Sequence, residues 1–291
     1  MSKDKIDYGN GIIAGVIAQC LTLPLDFVKV QQQKIATGQQ VEVVRGHPIL
    51  REAISKAGFP GVFKGIEAVV ARAVVNQAMR GNIYCSVIIG LSEKDRYHSV
   101  PMAKKSFYSG ITAASVAIAC NPLDLALIRL QSRNYLPPES MPFYSNILGS
   151  VGHIAKEEGF GRLFRGAYAN ALKNFFFAFT VMSTFDQVRE FYARILGDIS
   201  FIREASIMTA AMVGGFFAMP FDNIKTKMQT ELPSNGNTYY YKGIIDTFSK
   251  SSGREGFFGL YVGNWSMWAR NSFSMIMITY LVEYLRGMSQ H

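Results

Sequence analysis

Leu23–Gln33 reads "LPLDFVKVQQQ": an uncharged apolar run ends in Pro24, followed by an acid, Asp26, and a base, Lys29. The arrangement returns as "NPLDLALIRLQ" from Asn121 and as "MPFDNIKTKMQ" from Met219. Pro24, Pro122 and Pro220 are each 98 residues apart. A proline with charges just beyond it, at the end of a membrane-length segment, is not a feature of a soluble core. A fixed long period also marks a repeat architecture.

Working outward, each unit shows the same order of events. The uncharged stretches Tyr8–Leu25, Ser106–Leu123 and Ala205–Phe221 are 17 or 18 residues long. That is near the ~20 a helix needs to cross the hydrocarbon core. A polar segment follows, then the glycine turns "AGFPGVFKG", "EEGFGRLFRG" and "REGFFGLYVG". A second apolar stretch closes each unit: Ile66–Leu91, Ala167–Ala193 and Asn264–Leu285. The expected organisation is three repeats, residues 1–98, 99–197 and 198–291, in an all-α membrane protein with six transmembrane helices around a central cavity. Gly11 and Gly15, and Gly110, Ala113 and Ala114, are small enough for close helix contact in the odd spans.

The bulk figures agree. The chain has 291 residues, 49% hydrophobic, with 18% charged, below the roughly 25% of an average soluble protein. Mean hydropathy is +0.12. A net charge of +9 points to an anionic partner. Nucleic acid would explain the charge but not three pairs of apolar spans, so no nucleic-acid partner is expected. Cys20, Cys85 and Cys120 lie in apolar segments without metal-ligand spacing, so they read as small buried hydrophobes. His47, His98, His153 and His291 are scattered, and no nucleophile–base arrangement or phosphate loop accompanies them, so no enzyme is expected. The start, "MSKDKIDYGN", is neither a secretory signal nor an arginine-rich transit peptide, which leaves any organelle address internal.

The second apolar stretch of every unit carries a base seven residues after its turn glycine: Gly65 to Arg72, Gly166 to Lys173, Gly263 to Arg270. A charge at bilayer depth costs about 2.5–3.5 kcal/mol on insertion scales. Three such costs at one register point to bases facing a water-filled cavity. Arg80 lies eight residues beyond Arg72 with Asn76 midway, all on about one helix face. Four bases suit a small anion with two or more carboxylates, since arginine's planar fork binds carboxylate in bidentate fashion. "NFFFAF", Asn174–Phe179, reads mostly as lipid-facing or interhelical packing.

These residues resemble the mitochondrial carrier family. The matching features are Pro-x-acid-x-x-base-x-base-x-Gln after each odd span and the glycine turn before each even one. The match covers nearly the whole chain. The resemblance implies six spans, short matrix helices and alternating access in the mitochondrial inner membrane. In that family the acid of one repeat pairs with the base of the next. Asp124 is then matched with Lys225 and Asp222 with Lys29, while Asp26 meets Leu127 where a base belongs. Gln33, Gln131 and Gln229 occupy the position that braces those pairs. On the cytoplasmic side the resemblance implies a second network. Asp186 and Arg189 match it in repeat two, and Glu283 and Arg286 in repeat three. Repeat one has Cys85 and Ile88 instead, which leaves Asp186–Arg286 as the pair able to form.

The turns resemble the family's cardiolipin sites, with Lys64-Gly65, Arg165-Gly166 and Gly263 as the implied contacts. Tyr144-Ser145-Asn146 and Tyr241-Lys242-Gly243 supply opposite halves. No other cofactor is implied. Within the family, "NPLDLALIRL", "MPFDNIKTKMQ" and "EGFFGLY" resemble the branch exchanging 2-oxoglutarate for malate. That branch implies dicarboxylate contacts at Arg72, Asn76, Arg80, Lys173, Asn174 and Arg270. Asn76 and Lys173 depart from its pattern of tyrosine and arginine. The incomplete networks leave a second reading: a carrier fold recruited as a structural subunit of a respiratory or ATP-synthase assembly.

Overall fold

The computed structural model describes residues 9–23, 69–80, 83, 101–133, 147–197, 201–231 and 240–288. Among the described residues no strand occurs. The helices are α1 (Gly9–Leu23), α2 (69–80), α3 (Met102–Ala119), α4 (Asn121–Arg133), α5 (Ile147–Glu157), α6 (Ala167–Leu196), α7 (Ile202–Thr230), α8 (Ile244–Glu255) and α9 (Asn264–Met288). Short 3-10 turns, Phe160–Phe164 and Phe257–Tyr261, lead into α6 and α9. At 30 residues, α6 is about 45 Å long.

The order is the same in repeats two and three: long odd helix, short amphipathic helix, 3-10 turn, long even helix. Glycines time the transitions. Gly166 (φ 73°) and Gly263 (φ 84°) adopt the left-handed region just before α6 and α9. A side chain is strained at such angles, which is why both turns end in glycine.

Among the described residues, α7 is one helix long and apolar enough to cross a membrane, and α3 with the start of α4 forms a broken span bent by 62°. The outward faces are apolar: Ile13, Ile17 and Leu21 on α1, Phe107, Ile111 and Ile118 on α3, Met212, Phe216 and Phe217 on α7 are all exposed. Exposed stripes at helical spacing suit a lipid surround.

The small residues do what was expected of them in part. A Cβ on Gly15 would come within 1.9 Å of Gln77, one on Gly110 within 2.8 Å of Phe175, and one on Gly214 within 2.7 Å of Val181. These glycines let α1 approach α2, and let α3 and α7 close on α6 from two sides. Among the described residues, a Cβ on Gly11 would meet nothing within 4 Å. The phenylalanine run on α6 is interhelical packing. Phe175 packs edge-on to Phe107 at 6.0 Å, and Phe176 stacks on Phe221 of α7 at 5.1 Å. Phe177 covers the Ala218–Met219–Met267 cluster.

The prolines do not all bend the chain alike. Pro122 sits in a 62° break, whereas Pro220 lies inside the continuous α7. The difference follows the residue before each proline. Asn121 donates its amide to Leu163 O (2.7 Å) and Arg165 O (3.3 Å), which ties the start of α4 to the turn of repeat two. Its counterpart Met219 is packed among apolar neighbours. In repeat three Asn223 does the job instead, donating to Leu260 O and Val262 O (3.3 Å) from one helical turn beyond.

Candidate functional site

The hub of the described structure is Asp124, at the start of α4 and almost fully buried. Its Oδ1 accepts from Arg72 Nε on α2. Its Oδ2 accepts from Lys225 Nζ on α7 (2.7 Å) and from Asn170 Nδ2 on α6 (2.9 Å). One carboxylate therefore joins residues of all three repeats. A buried charge is tolerated only when paired and hydrogen-bonded, and this one has both. A second pair lies alongside: Lys173 Nζ of α6 is 3.1 Å from Asp222 Oδ1 of α7. Lys173 also adds its field to the Asp124–Lys225 pair.

The pair expected between Asp124 and Lys225 is thus present. The cavity bases Arg72 and Lys173, however, do not stand alone in the cavity; each holds a carboxylate from the following repeat. A sequence read one register position at a time assigns the bases to an outside anion. It overlooks that the nearest buried acid will take them first. Asp222 was matched with Lys29, and that residue, with Asp26 and Gln33, lies outside the described residues. Leu127 is buried, 5% exposed, at the position of the missing base.

The other expected anion contacts divide. Asn76 is half-buried on α2, and Arg80, one helical turn further along, is exposed. Arg270 Nη2 donates to the neighbouring Asn271 Oδ1 at 2.7 Å. Asn174 spends its amide on Asn170, donating to its backbone oxygen (2.8 Å) and to its Oδ1 (3.0 Å).

Among the described residues, Gln229 meets the turn of repeat two. Its Nε2 donates to Asn121 Oδ1 (3.0 Å) and Arg165 O (3.2 Å), tying α7 to the turn of repeat two. The reason is proximity: a Cβ on Gly166 would come within 3.1 Å of the Gln229 side chain, so the amide meets the turn first. The side chain of Gln131 lies outside the described residues.

The Arg165 guanidinium is buried and donates to Met228 O (2.6 Å), Glu231 Oε2 (2.7 Å) and Tyr241 O (3.0 Å). It is a pin between repeats two and three. The surrounding pocket, about 290 Å³, still joins the expected halves: Arg162, Arg165, Gly166 and Tyr168 face Lys242, Gly243 and Ile244. The Lys242 N–H is already taken by Asp246 Oδ2 at 2.9 Å. Gly263 opens α9 as expected, and Lys64 and Gly65 lie outside the described residues.

At the far end of the helices, Asp186 and Arg189 are exposed on α6. The side chain of Arg286 lies outside the described residues. Glu283 is held by Arg203 from the first turn of α7, with the second contact at 3.3 Å. Tyr280 donates to Glu204 Oε1 at 2.5 Å beside it. This clasp between α7 and α9 was not read from the sequence: Lys105 is the counterpart of Arg203 at the proline spacing, but Tyr280 does not recur in the other repeats.

A sequence profile for mitochondrial carrier protein matches residues 6–94, 98–196 and 202–291. The chain belongs to the mitochondrial carrier family. Its matches include a putative mitochondrial 2-oxoglutarate/malate carrier protein of Neurospora crassa, 25% identical over 97% of this chain and 87% of that one. A mitochondrial dicarboxylate carrier of Caenorhabditis elegans is 28% identical over 95% and 91%. Mitochondrial uncoupling protein 2 of Arabidopsis thaliana is 28% identical over 86% and 82%. As a mitochondrial carrier the chain is a multi-pass transporter, not an enzyme. Among the described residues no cluster of His, Cys, Asp or Glu is arranged to hold a metal ion.

Proposed function

We propose that the chain is an antiporter of the mitochondrial inner membrane that exchanges small dicarboxylates of the 2-oxoglutarate and malate class. The observation carrying this reading is that Arg72 and Lys173, from adjacent repeats, each already hold one carboxylate, Asp124 and Asp222. A cavity that seats two internal carboxylates on two bases offers the same two bases to a dianion.

The mechanism follows from exchange of partners. A substrate carboxylate takes Arg72, and Asp124 is left to Lys225 and Asn170. The second takes Lys173 and frees Asp222 for another base. Arg80, exposed on the same helix, draws the anion in, and Arg270 completes the third side. Binding alters the pairs that hold the three repeats together, and it drives a switch only through a difference in affinity between the two states. On the opposite side, Asp186 with Arg286 is the latch, weakened by the lack of charge at Cys85 and Ile88. Arg189 flanks it, and Glu283 is kept by Arg203. Asn76 lines the cavity.

We assign a cardiolipin headgroup phosphate to the pocket between α6 and α8. The cations Arg162 and Lys242 and the N-termini of two helices converge there, the arrangement that favours phosphate.

The test is ligand-dependent stability. Purified carrier is heated with malate, 2-oxoglutarate, succinate, ADP or phosphate, and unfolding is followed. Dicarboxylates should raise the midpoint more than ADP or phosphate, and Arg72→Ala should abolish the rise. A rise with ADP alone overturns the substrate class. Failure of every anion, with tight co-purification of a respiratory complex, favours the structural-subunit reading.

A further inference from the structure

We propose that Asn170 is a positioning residue that clamps the proline break of repeat two and links it to the cavity, a role that rests on the transport reading above. It lies four residues after the turn glycine Gly166. The equivalent positions after Gly65 and Gly263 are Val69 and Met267, buried at 3% and 1% exposure. Two repeats therefore place an apolar side chain here, and one places a carboxamide that is 1% exposed. Burying an amide where a hydrophobe fits costs free energy unless its hydrogen bonds are made.

They are made, and their geometry defines the role. The Asn170 Nδ2 donates to Ala117 O (3.2 Å), the carbonyl before the break, and to Asp124 Oδ2 (2.9 Å), the carboxylate after it. Pro122, between them, supplies no N–H of its own. One NH₂ group thus holds both arms of the 62° bend. Its Oδ1 accepts from Asn174 Nδ2 at 3.0 Å, one turn along α6 and next to Lys173.

With both donors spent and the side chain buried, Asn170 does not face substrate. It acts through Asp124 and the bend. Straightening of α3 against α4 requires the amide to release one acceptor, and movement of Asn174 with bound anion pulls on the same group. The clamp therefore sets how readily the break flexes, while the cavity bases set how tightly the anion binds.

Cys120, 1% exposed and located within the break, reports on it directly. The experiment measures maleimide labelling of Cys120, located by peptide mapping, in wild type, Asn170→Leu and Asn170→Ala. Each protein must first unfold cooperatively on heating. The alanine variant adds no bulk beside the break, so it remains informative if the leucine variant does not fold. Losing a hydrogen bond to a charged group is expected to raise the labelling rate about tenfold. Asn174→Ala leaves both clamp bonds in place and should leave labelling near the wild-type rate.

In parallel, malate/2-oxoglutarate exchange should gain up to about tenfold in maximal rate, because the bend no longer has to release an acceptor, with its half-saturation concentration within about twofold of wild type. Unchanged Cys120 labelling in both Asn170 variants overturns the clamp, whatever transport does. Raised labelling in a carrier that moves no dicarboxylate leaves the clamp standing and overturns the transport reading. A raised half-saturation concentration at unchanged maximal rate makes Asn170 a binding residue and also overturns the proposal.

Discussion

Arg72 donates its Nε to Asp124 Oδ1 across the boundary between the first two repeats. The relation between Lys173 and Asp222 is the same one repeat further on, at 3.1 Å. In both cases the acid after the proline takes the cavity base of the preceding repeat. Asp124 in addition takes Lys225 of the following one. Residues assigned separately to binding and to closure therefore share their carboxylates.

The rule predicts how the Asp124 hub responds to loss of each partner. Lys225→Met leaves a buried carboxylate with a poorer set of partners and should destabilise the protein by about 3–5 kcal/mol. Asp124→Asn in the same background should recover part of that loss, because it removes the stranded charge. Chemical denaturation of the three variants checks this.

Leu127 stands where the family pattern implies the base of a third ion pair. Leu127→Lys should supply a partner for Asp26, raise thermal stability and slow exchange, because closure on that side becomes harder to break. Measuring both quantities separates this from simple damage, which lowers the two together.

Close helix approach is concentrated at a few glycines. Gly214→Ala puts a Cβ 2.7 Å from Val181 and Gly110→Ala puts one 2.8 Å from Phe175. Each should cost about 1–3 kcal/mol, the range for overpacking. Gly152→Ala within α5 meets nothing within 4 Å and should stabilise by about 0.5–1 kcal/mol through helix propensity.

Arg165 and Lys242 should separate in their effects. Arg165→Ala removes three bonds that join two repeats, so it should lower the unfolding midpoint with or without lipid. Lys242→Ala should leave the delipidated midpoint near wild type and reduce only the rise produced by added cardiolipin. Thermal unfolding at several cardiolipin concentrations distinguishes them.

Much of this arrangement is legible in the residues. Three Pro-x-Asp motifs at one spacing give the repeat, and a base seven residues after each turn glycine gives the cavity register. The Asp124–Lys225 pair follows from the family pattern. What the sequence hides are contacts made by singular residues. Asn121 and Asn223 serve equivalent turns from positions one helical turn apart, so alignment of the repeats does not match them. Gln229 is diverted to the Asn121 amide because the turn is within its reach. Arg203 finds Glu283 across 80 residues of sequence. Asn170 had a visible signal, a lone amide where the other repeats carry Val69 and Met267. Its meaning required knowing that Ala117 and Asp124 lie either side of one bend.

The most direct test of dicarboxylate exchange uses the purified carrier in cardiolipin-containing liposomes. Vesicles are loaded with malate or left empty and offered labelled 2-oxoglutarate, with wild type, Arg72→Ala and Lys173→Ala compared. Uptake that requires internal malate and is lost in both variants is the predicted result. Equal uptake into empty vesicles, or full exchange by either variant, would contradict the account.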